Sequence, residues 1–199
     1  MKSRLLFISM ILFVMAACSY QVPLKHELAM QSTPAVRNER ILVVMSREQA
    51  EKIINYSPQM GDTYVFEGGP ALKDLIMNIL GQVYSSVSYA ETLDRAVTEY
   101  DRAVEVVLRN HEIVMNVYTG NTVKLDIDYT IFNPQGEPVD HFATQSSSKE
   151  RYDGSDYVKT YVIGAFYNIG KMKEQIGAAW DTAAINSIGA LIDRLSGEG

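Results

Sequence analysis

The only cysteine of this 199-residue chain, Cys18, closes a leader that cannot belong to the folded body. That one feature fixes what is left to fold and by what means. Lys2 and Arg4 give a short positive region, Leu5 to Met15 is apolar apart from Ser9, and Ala16 and Ala17 lead into Cys18. A charged, apolar, small-residue order is that of an export signal. The apolar run falls short of the about 20 residues that a membrane-spanning helix needs, so a cleaved leader is expected. Behind Cys18 no thiol remains, so no disulfide can brace the fold and an apolar core must carry it. Residues 40–199 are long enough to build one such core. The chain has 18 basic and 24 acidic residues, and removal of Lys2 and Arg4 leaves 16 against 24, a net charge of −8. With no basic run in the sequence, nucleic acid and anionic head groups are poor electrostatic partners.

Met15-Ala16-Ala17-Cys18 resembles the lipobox of bacterial lipoproteins, with Met15 where Leu is usual. The resemblance implies cleavage before Cys18 and attachment of a diacylglycerol and further acyl chains of the palmitate class. The other reading is a plain secretory leader with an incidental cysteine. A lone free thiol is a liability in an exported protein, and lipidation removes it. Several chains on one residue exceed the two signals that stable anchoring requires. Ser19, not Asp, follows the cysteine; by resemblance to the sorting rule of enteric-type bacteria this suggests an outer-membrane anchor with the domain facing the periplasm. The expected layout is a signal peptide over 1–17, a lipidated cysteine and flexible tether over 18–39, and a single α+β domain over 40–199. Pro23, Pro34, Gln21, Gln31, Ser32 and Thr33 give the tether its extended character.

Periodicity assigns most of the rest. Ile41 to Met45 is a continuous apolar run that reads as a buried central strand. Ser46 with Gln49 forms a capping-box pattern, opening a short helix over about Arg47 to Asn55. Thr63 to Phe66 reads as a short strand. Gly68-Gly69-Pro70 introduces a long helix with Pro70 in its first position, and an apolar stripe runs from Ala71 and Leu72 through Leu80 and Val83 to Val87. Ala90 to Tyr100 fits either a helical turn or two or a polar excursion. Ala103 to Leu108 and Glu112 to Tyr118 are strand-like, with a bend or bulge at Arg109-Asn110-His111. From Val123 to Ile131 apolar residues alternate with Lys124, Asp126, Asp128 and Thr130, a strand with one buried and one wet face. Asn133-Pro134-Gln135-Gly136 reads as a turn, Val139 to Ser147 as its hairpin partner, Ser146 to Asp156 as a polar loop. A second long helix spans about Ile169 to Leu195, with Gly177 and Gly189 as points of close approach. The expected fold is an α+β two-layer sandwich: a largely antiparallel sheet of about four strands with two long amphipathic helices on one face.

The lipobox, the strand and helix at Ile41 to Met45 and Ala71 to Val87, and the meander around Gly120-Asn121-Thr122-Val123-Lys124-Leu125-Asp126-Ile127 share an order with a known group. A Gly164-Ala165-Phe166 step before a C-terminal helix ending near Ile192-Asp193-Arg194-Leu195 completes it. In this order the chain resembles small outer-membrane lipoproteins of the YajG type, and less closely the LptE type and the auxiliary lipoproteins of ABC-type lipid transport. The resemblance implies an envelope accessory domain, with no catalytic residue to carry over.

Candidate chemistry is sparse. His26, His111 and His141 lack the spacing or cysteine company of a zinc site. Asp126 and Asp128 share a strand face and could in principle ligate a metal or act as acid and base, but they share it with Lys124 and read as a solvated face. Asp153-Gly154-Ser155-Asp156 lacks the pattern of a calcium loop. Glu67-Gly68-Gly69-Pro70 lacks the Lys and Ser/Thr of a phosphate loop. No catalytic residue, metal site or cofactor is expected, and the chain is read as not an enzyme. Tyr152, Tyr157, Tyr161 and Tyr167 are the candidate partner-binding residues, because a tyrosine ring is apolar while its hydroxyl stays satisfied in water; covering the core is their other reading. Three functions follow. The first is a non-enzymatic interaction, scaffold or accessory module of an envelope assembly or transport system, with an envelope protein as partner. The second is a binding module for a hydrophobic or lipid-like ligand between sheet and helices. The third is an envelope hydrolase, which needs His111, His141, Asp126 and Asp128 to converge. Oligomeric state is left open by the sequence.

Overall fold

A computed structural model describes residues 19–22, 36–57, 63–93, 98–114, 120–150 and 165–197. In chain order the elements are β1 (Ser19–Gln21), β2 (Arg37–Val44), α1 (Arg47–Ala50), β3 (Ile54–Tyr56), β4 (Thr63–Phe66), α2 (Gly68–Val83), β5 (Tyr84–Ala90), β6 (Arg102–Val114), β7 (Asn121–Phe132), β8 (Pro138–Glu150) and α3 (Ala165–Ser196).

The alternating run lies in β7, an inner strand of a five-stranded sheet ordered β5-β2-β6-β7-β8. Val123, Leu125, Ile127, Tyr129 and Ile131 are buried. Between them Lys124 is exposed and Asp126, Asp128 and Thr130 are half-buried. A one-residue slip would turn those five side chains into water, at about 1.5–3 kcal/mol each. β6, β7 and β8 form an antiparallel meander, whereas β2 runs parallel to both of its neighbours, β5 and β6. The sheet is therefore mixed and five-stranded, a correction to the expected four largely antiparallel strands. A second sheet, ordered β1-β4-β3, adds three short strands.

Both long helices cover one face of the large sheet, as expected, and their buried stripes join its inward residues in one core. α3 runs alongside β7: Asn121 Nδ2 donates to Gln175 Oε1 at 3.3 Å, and at the far end Arg194 Nη1 lies 3.9 Å from Asp140 Oδ2. Ala179, Ala183 and Ala184 are fully buried there, small side chains that let helix and sheet approach closely. On the opposite face Leu42, Val44 and Ala103 form a smaller apolar cluster, covered by Leu93 and Tyr100 from the β5–β6 connection.

Several boundaries move, each for a physical reason. The helix expected to reach Val87 ends at Val83, where Tyr84 turns to extended backbone (φ −114°, ψ 149°). Ser85, Ser86 and Ser88 are poor helix residues because their hydroxyls compete for backbone groups. As β5 the segment instead pairs with the edge of β2, and Tyr89 donates its hydroxyl to Met45 O at 3.0 Å. α2 begins at Gly68, so Pro70 is its third residue, not its first. Ser46 does cap α1, its Oγ accepting from Gln49 N at 3.3 Å, but that helix ends at Ala50 and Ile54 to Tyr56 pair with β4. β6 joins the run before Arg109 to Glu112-Ile113-Val114 through a bulge between Leu108 and Asn110, and residues 115–118 of the second expected run lie outside the described residues. The start of the expected polar loop, Ser146 to Glu150, belongs to β8, and residues 151–156 lie outside the described residues.

Two glycines separate backbone need from accident. A Cβ on Gly69 would strike the backbone of Gln49 and Lys52, whose carbonyl accepts from Gly69 N at 2.9 Å. Nothing lies within 4 Å of a Cβ on Gly189, so it is not a point of close approach. Gly189→Ala is expected to stabilise the fold by about 0.5–1 kcal/mol through helix propensity alone. Gly69→Ala is expected to destabilise it. Urea unfolding midpoints of the two variants check the opposite signs.

Candidate functional site

The functional feature read from the leader is Cys18, which lies outside the described residues, as do the signal peptide and His26. Its neighbour Ser19 opens β1, and β1 pairs in parallel with β4 in the register Ser19↔Thr63, Tyr20↔Tyr64, Gln21↔Val65. Val22 then donates its N–H to Val65 O at 3.0 Å and is buried. Of the expected tether, residues 19–22 are therefore part of the fold, and Arg37 to Glu39 belong to β2. A strand of three residues shows no periodicity, and Pro23 just after it favours an extended, unpaired reading.

The small sheet is anchored to the core from its inner side. Tyr64 and Phe66 are buried, and the Phe66 ring stacks against Trp180 with centroids 6.4 Å apart. Its outer side carries Gln21 and Asn55, both exposed, with Thr63 and Val65 half-buried beside them. Ile53, just before β3, is an exposed large apolar side chain at 58%.

The wet face of the large sheet holds the charged groups. Arg109, thrown outward by the β6 bulge, donates to Asp128 Oδ2 at 2.6 Å, and Lys124 donates to Glu112 Oε2 at 2.7 Å. Exposed pairs of this kind contribute about 0–1 kcal/mol each. Asp126 stands in register with Asn110 and Gln145. His141 is exposed opposite Thr130, on the same face. His111 is in register with Leu125 and so belongs to the other, helix-covered face. The two histidines are thus on opposite sides of the sheet and do not converge. Among the described residues no group of three or more His, Cys, Asp or Glu side chains could hold a metal ion.

Between sheet and helices, where a hydrophobic ligand would sit, the fully buried side chains include Trp180, Tyr84, Tyr129 and Phe66. A polar seam crosses this layer. Tyr129 Oη and Ser187 Oγ are 2.8 Å apart, Ser187 also meets Thr144 Oγ1, and Thr144 donates to Ile127 O at 3.2 Å. Burial holds the Tyr129 hydroxyl far above its ordinary range, so it stays protonated and hydrogen-bonded. The seam orients α3 on β7 and β8 and escaped sequence reading; its only trace was one tyrosine and one serine in otherwise aliphatic rows.

Tyr152, Tyr157 and Tyr161 lie outside the described residues, and of Tyr167 only the backbone, in the first turn of α3, is described. The surfaces that can be placed are the two edge strands of the large sheet, β5 and β8, each with one outer side unpaired among the described residues.

His111 is the described histidine whose titration its surroundings shift. Burial lowers its pKa below the ordinary 6.5, and the charge of Lys52 lowers it further. Its Nδ1 is buried without a hydrogen-bond partner. The unfolded chain therefore takes up a proton at higher pH than the folded one. The neutral imidazole's contribution is intact above pH 6.5 and is lost as pH falls below it. His111→Gln is expected to flatten the stability profile over about pH 5–7 relative to the parent chain, measured by urea unfolding at each pH.

No family model matches the chain, and no curated protein does. Solved structures share its shape. Protein XCC0632 from Xanthomonas campestris, of the DUF330 family, is 12% identical, with a TM-score of 0.52 over 88% of this chain and 93% of that one. Protein CT253 from Chlamydia trachomatis is 9% identical, with a TM-score of 0.43 over 79% of this chain and 96% of that one. A minor lipoprotein from Acinetobacter baumannii is 10% identical, with a TM-score of 0.37 over 77% and 90%. The likeness to the Xanthomonas protein is one of fold and does not reach the YajG or LptE type in particular; a shared fold carries no activity with it.

Proposed function

We propose that this protein is an envelope lipoprotein, acylated at Cys18, whose α+β domain serves without catalysis as an interaction or accessory module on the periplasmic face of the outer membrane. The observation that carries the reading is the leader itself: Lys2 and Arg4, the apolar run, and Met15-Ala16-Ala17 directly before the chain's only cysteine. Two features of the folded body favour it. No helix among the described residues is long and apolar enough to cross a membrane, which is compatible with attachment through an N-terminal lipid. The dispersed carboxylates and histidines suit a solvated surface better than a reaction centre. Among the described residues the outer sides of β5 and β8 carry unpaired backbone groups, the kind of edge to which an envelope protein partner can add a strand.

Intact-mass measurement of the native protein is expected to find a chain beginning at Cys18 and carrying the mass of acyl chains. Cys18→Ala is expected to leave the membrane fraction. An uncleaved leader, or a processed N-terminus with no fatty acid, would overturn the proposal. Mild crosslinking before detergent extraction is expected to recover an envelope protein together with this one; repeated recovery of the lipoprotein alone counts against the accessory role.

A further inference from the structure

We infer that the small β1-β4-β3 sheet is the membrane-facing surface of the domain, held on the bilayer without a spacer. The inference rests on acylation of Cys18 and adds an orientation to it. Cys18 is bonded directly to Ser19, and Ser19 is already in register with Thr63. Consecutive Cα atoms are about 3.8 Å apart, so the acylated residue is joined to the first paired residue of the small sheet with no intervening length. A flexible tether as long as residues 18–39 would instead allow excursions of roughly 25 Å and leave the domain free to tumble. The pairing that removes this freedom is continuous: three residues of β1 follow β4, and Val22 is hydrogen-bonded to Val65 O and buried against the core.

Charge points to the same surface. The three strands of the small sheet, Ser19-Tyr20-Gln21, Ile54-Asn55-Tyr56 and Thr63-Tyr64-Val65-Phe66, contain no charged residue. Gln21 and Asn55 are exposed on its outer side, and Ile53 adds an exposed apolar side chain next to it. The wet face of the large sheet, by contrast, is densely charged: Glu105, Glu112, Asp126 and Asp128 stand there with Arg109, Lys124 and Lys149, in a mature chain of net charge −8. An anionic leaflet repels a net-acidic domain and a densely charged face is costly to desolvate, whereas a neutral, hydrogen-bonding face with an apolar side chain can rest among lipid head groups. The opposite end of the domain is marked by the Arg194–Asp140 pair. It lies 14 residues along α3 from Trp180, where the small sheet is attached, a distance of about 21 Å.

The test uses the full lipidated protein. With Cys18 blocked by its lipid, a new cysteine is the only free thiol. Asn55→Cys on the small sheet and Val139→Cys at the opposite end, 60% exposed in the parent chain, are labelled with a fluorophore. The proteins are reconstituted in phosphatidylethanolamine/phosphatidylglycerol vesicles carrying a quencher on the lipid head group. The label at position 55 is expected to be strongly quenched and the label at 139 to stay at the level seen without quencher. A Gly/Ser insert with a reach of roughly 20 Å between Cys18 and Ser19 is expected to abolish the difference. Equal quenching at the two positions, in protein whose Cys18 acylation is confirmed by mass, overturns the orientation and leaves the lipoprotein reading standing. Absence of acyl mass on Cys18 overturns both.

Discussion

The fold depends on one side chain that no sequence pattern singled out beyond its place in a stripe. Trp180 sits midway along α3, fully buried, where the small sheet, the start of α2 and the core of the large sheet meet. Phe66 of β4 stacks on it, and a Cβ on Gly68, the first residue of α2, would touch both its ring and Ile54 of β3. Removing so large a buried ring leaves a cavity that costs about 3–5 kcal/mol in a typical core. Here it would also free the small sheet from the helix that fastens it. Gly68 and Gly69 are the complement of this ring on the other partner: bare backbone where α2 must come in close to Trp180 on one side and to α1 on the other.

The elements that could be read from the sequence are those whose pattern persists over many residues. β7 has five buried side chains in strict alternation, and the C-terminal stripe from Ile176 to Leu195 repeats for the length of a helix. Both survive because tertiary packing agrees with local periodicity. The errors fall where two periods coincide over a short span. Val83, Tyr84 and Val87 fit a helical face, while Val87 and Tyr89 fit a strand face equally well; the free edge of β2 decides between them, and a partner strand is invisible locally. The parallel placement of β2 was illegible for the same reason. Ile41 to Met45 announces a buried strand on its own, yet its neighbours Val87 and Arg102 lie far along the chain.

The candidate site was read from the sequence in one part only. The proposed lipidation rests on covalent sequence, a leader and a cysteine, and needs no fold to be read. The proposed orientation of the domain rests on β1, three residues long, whose only distinguishing property is what it pairs with. The polar seam of Tyr129, Ser187 and Thr144 depends on three elements meeting, and hydroxyls in an apolar layer acquire their role only there. Even the wet face of β7 needed the fold to give it meaning: the bulge at Arg109 delivers a guanidinium to Asp128 and turns a pair of carboxylates into part of a charge lattice.

The mixed sheet also sets an order in time. The meander of β6, β7 and β8 closes on short loops, with Val114 and Thr122 paired across only eight residues. β2 must find Arg102 of β6 across 61 residues, with β3, β4, α2 and β5 in between. Loop-closure entropy for the longer span exceeds that for the shorter by about 1.8 kcal/mol. The antiparallel half of the sheet can therefore form as a local unit before β2 reaches it. Until β2 pairs, the inner edge of β6 stays open, with its backbone groups bare to any other extended chain nearby.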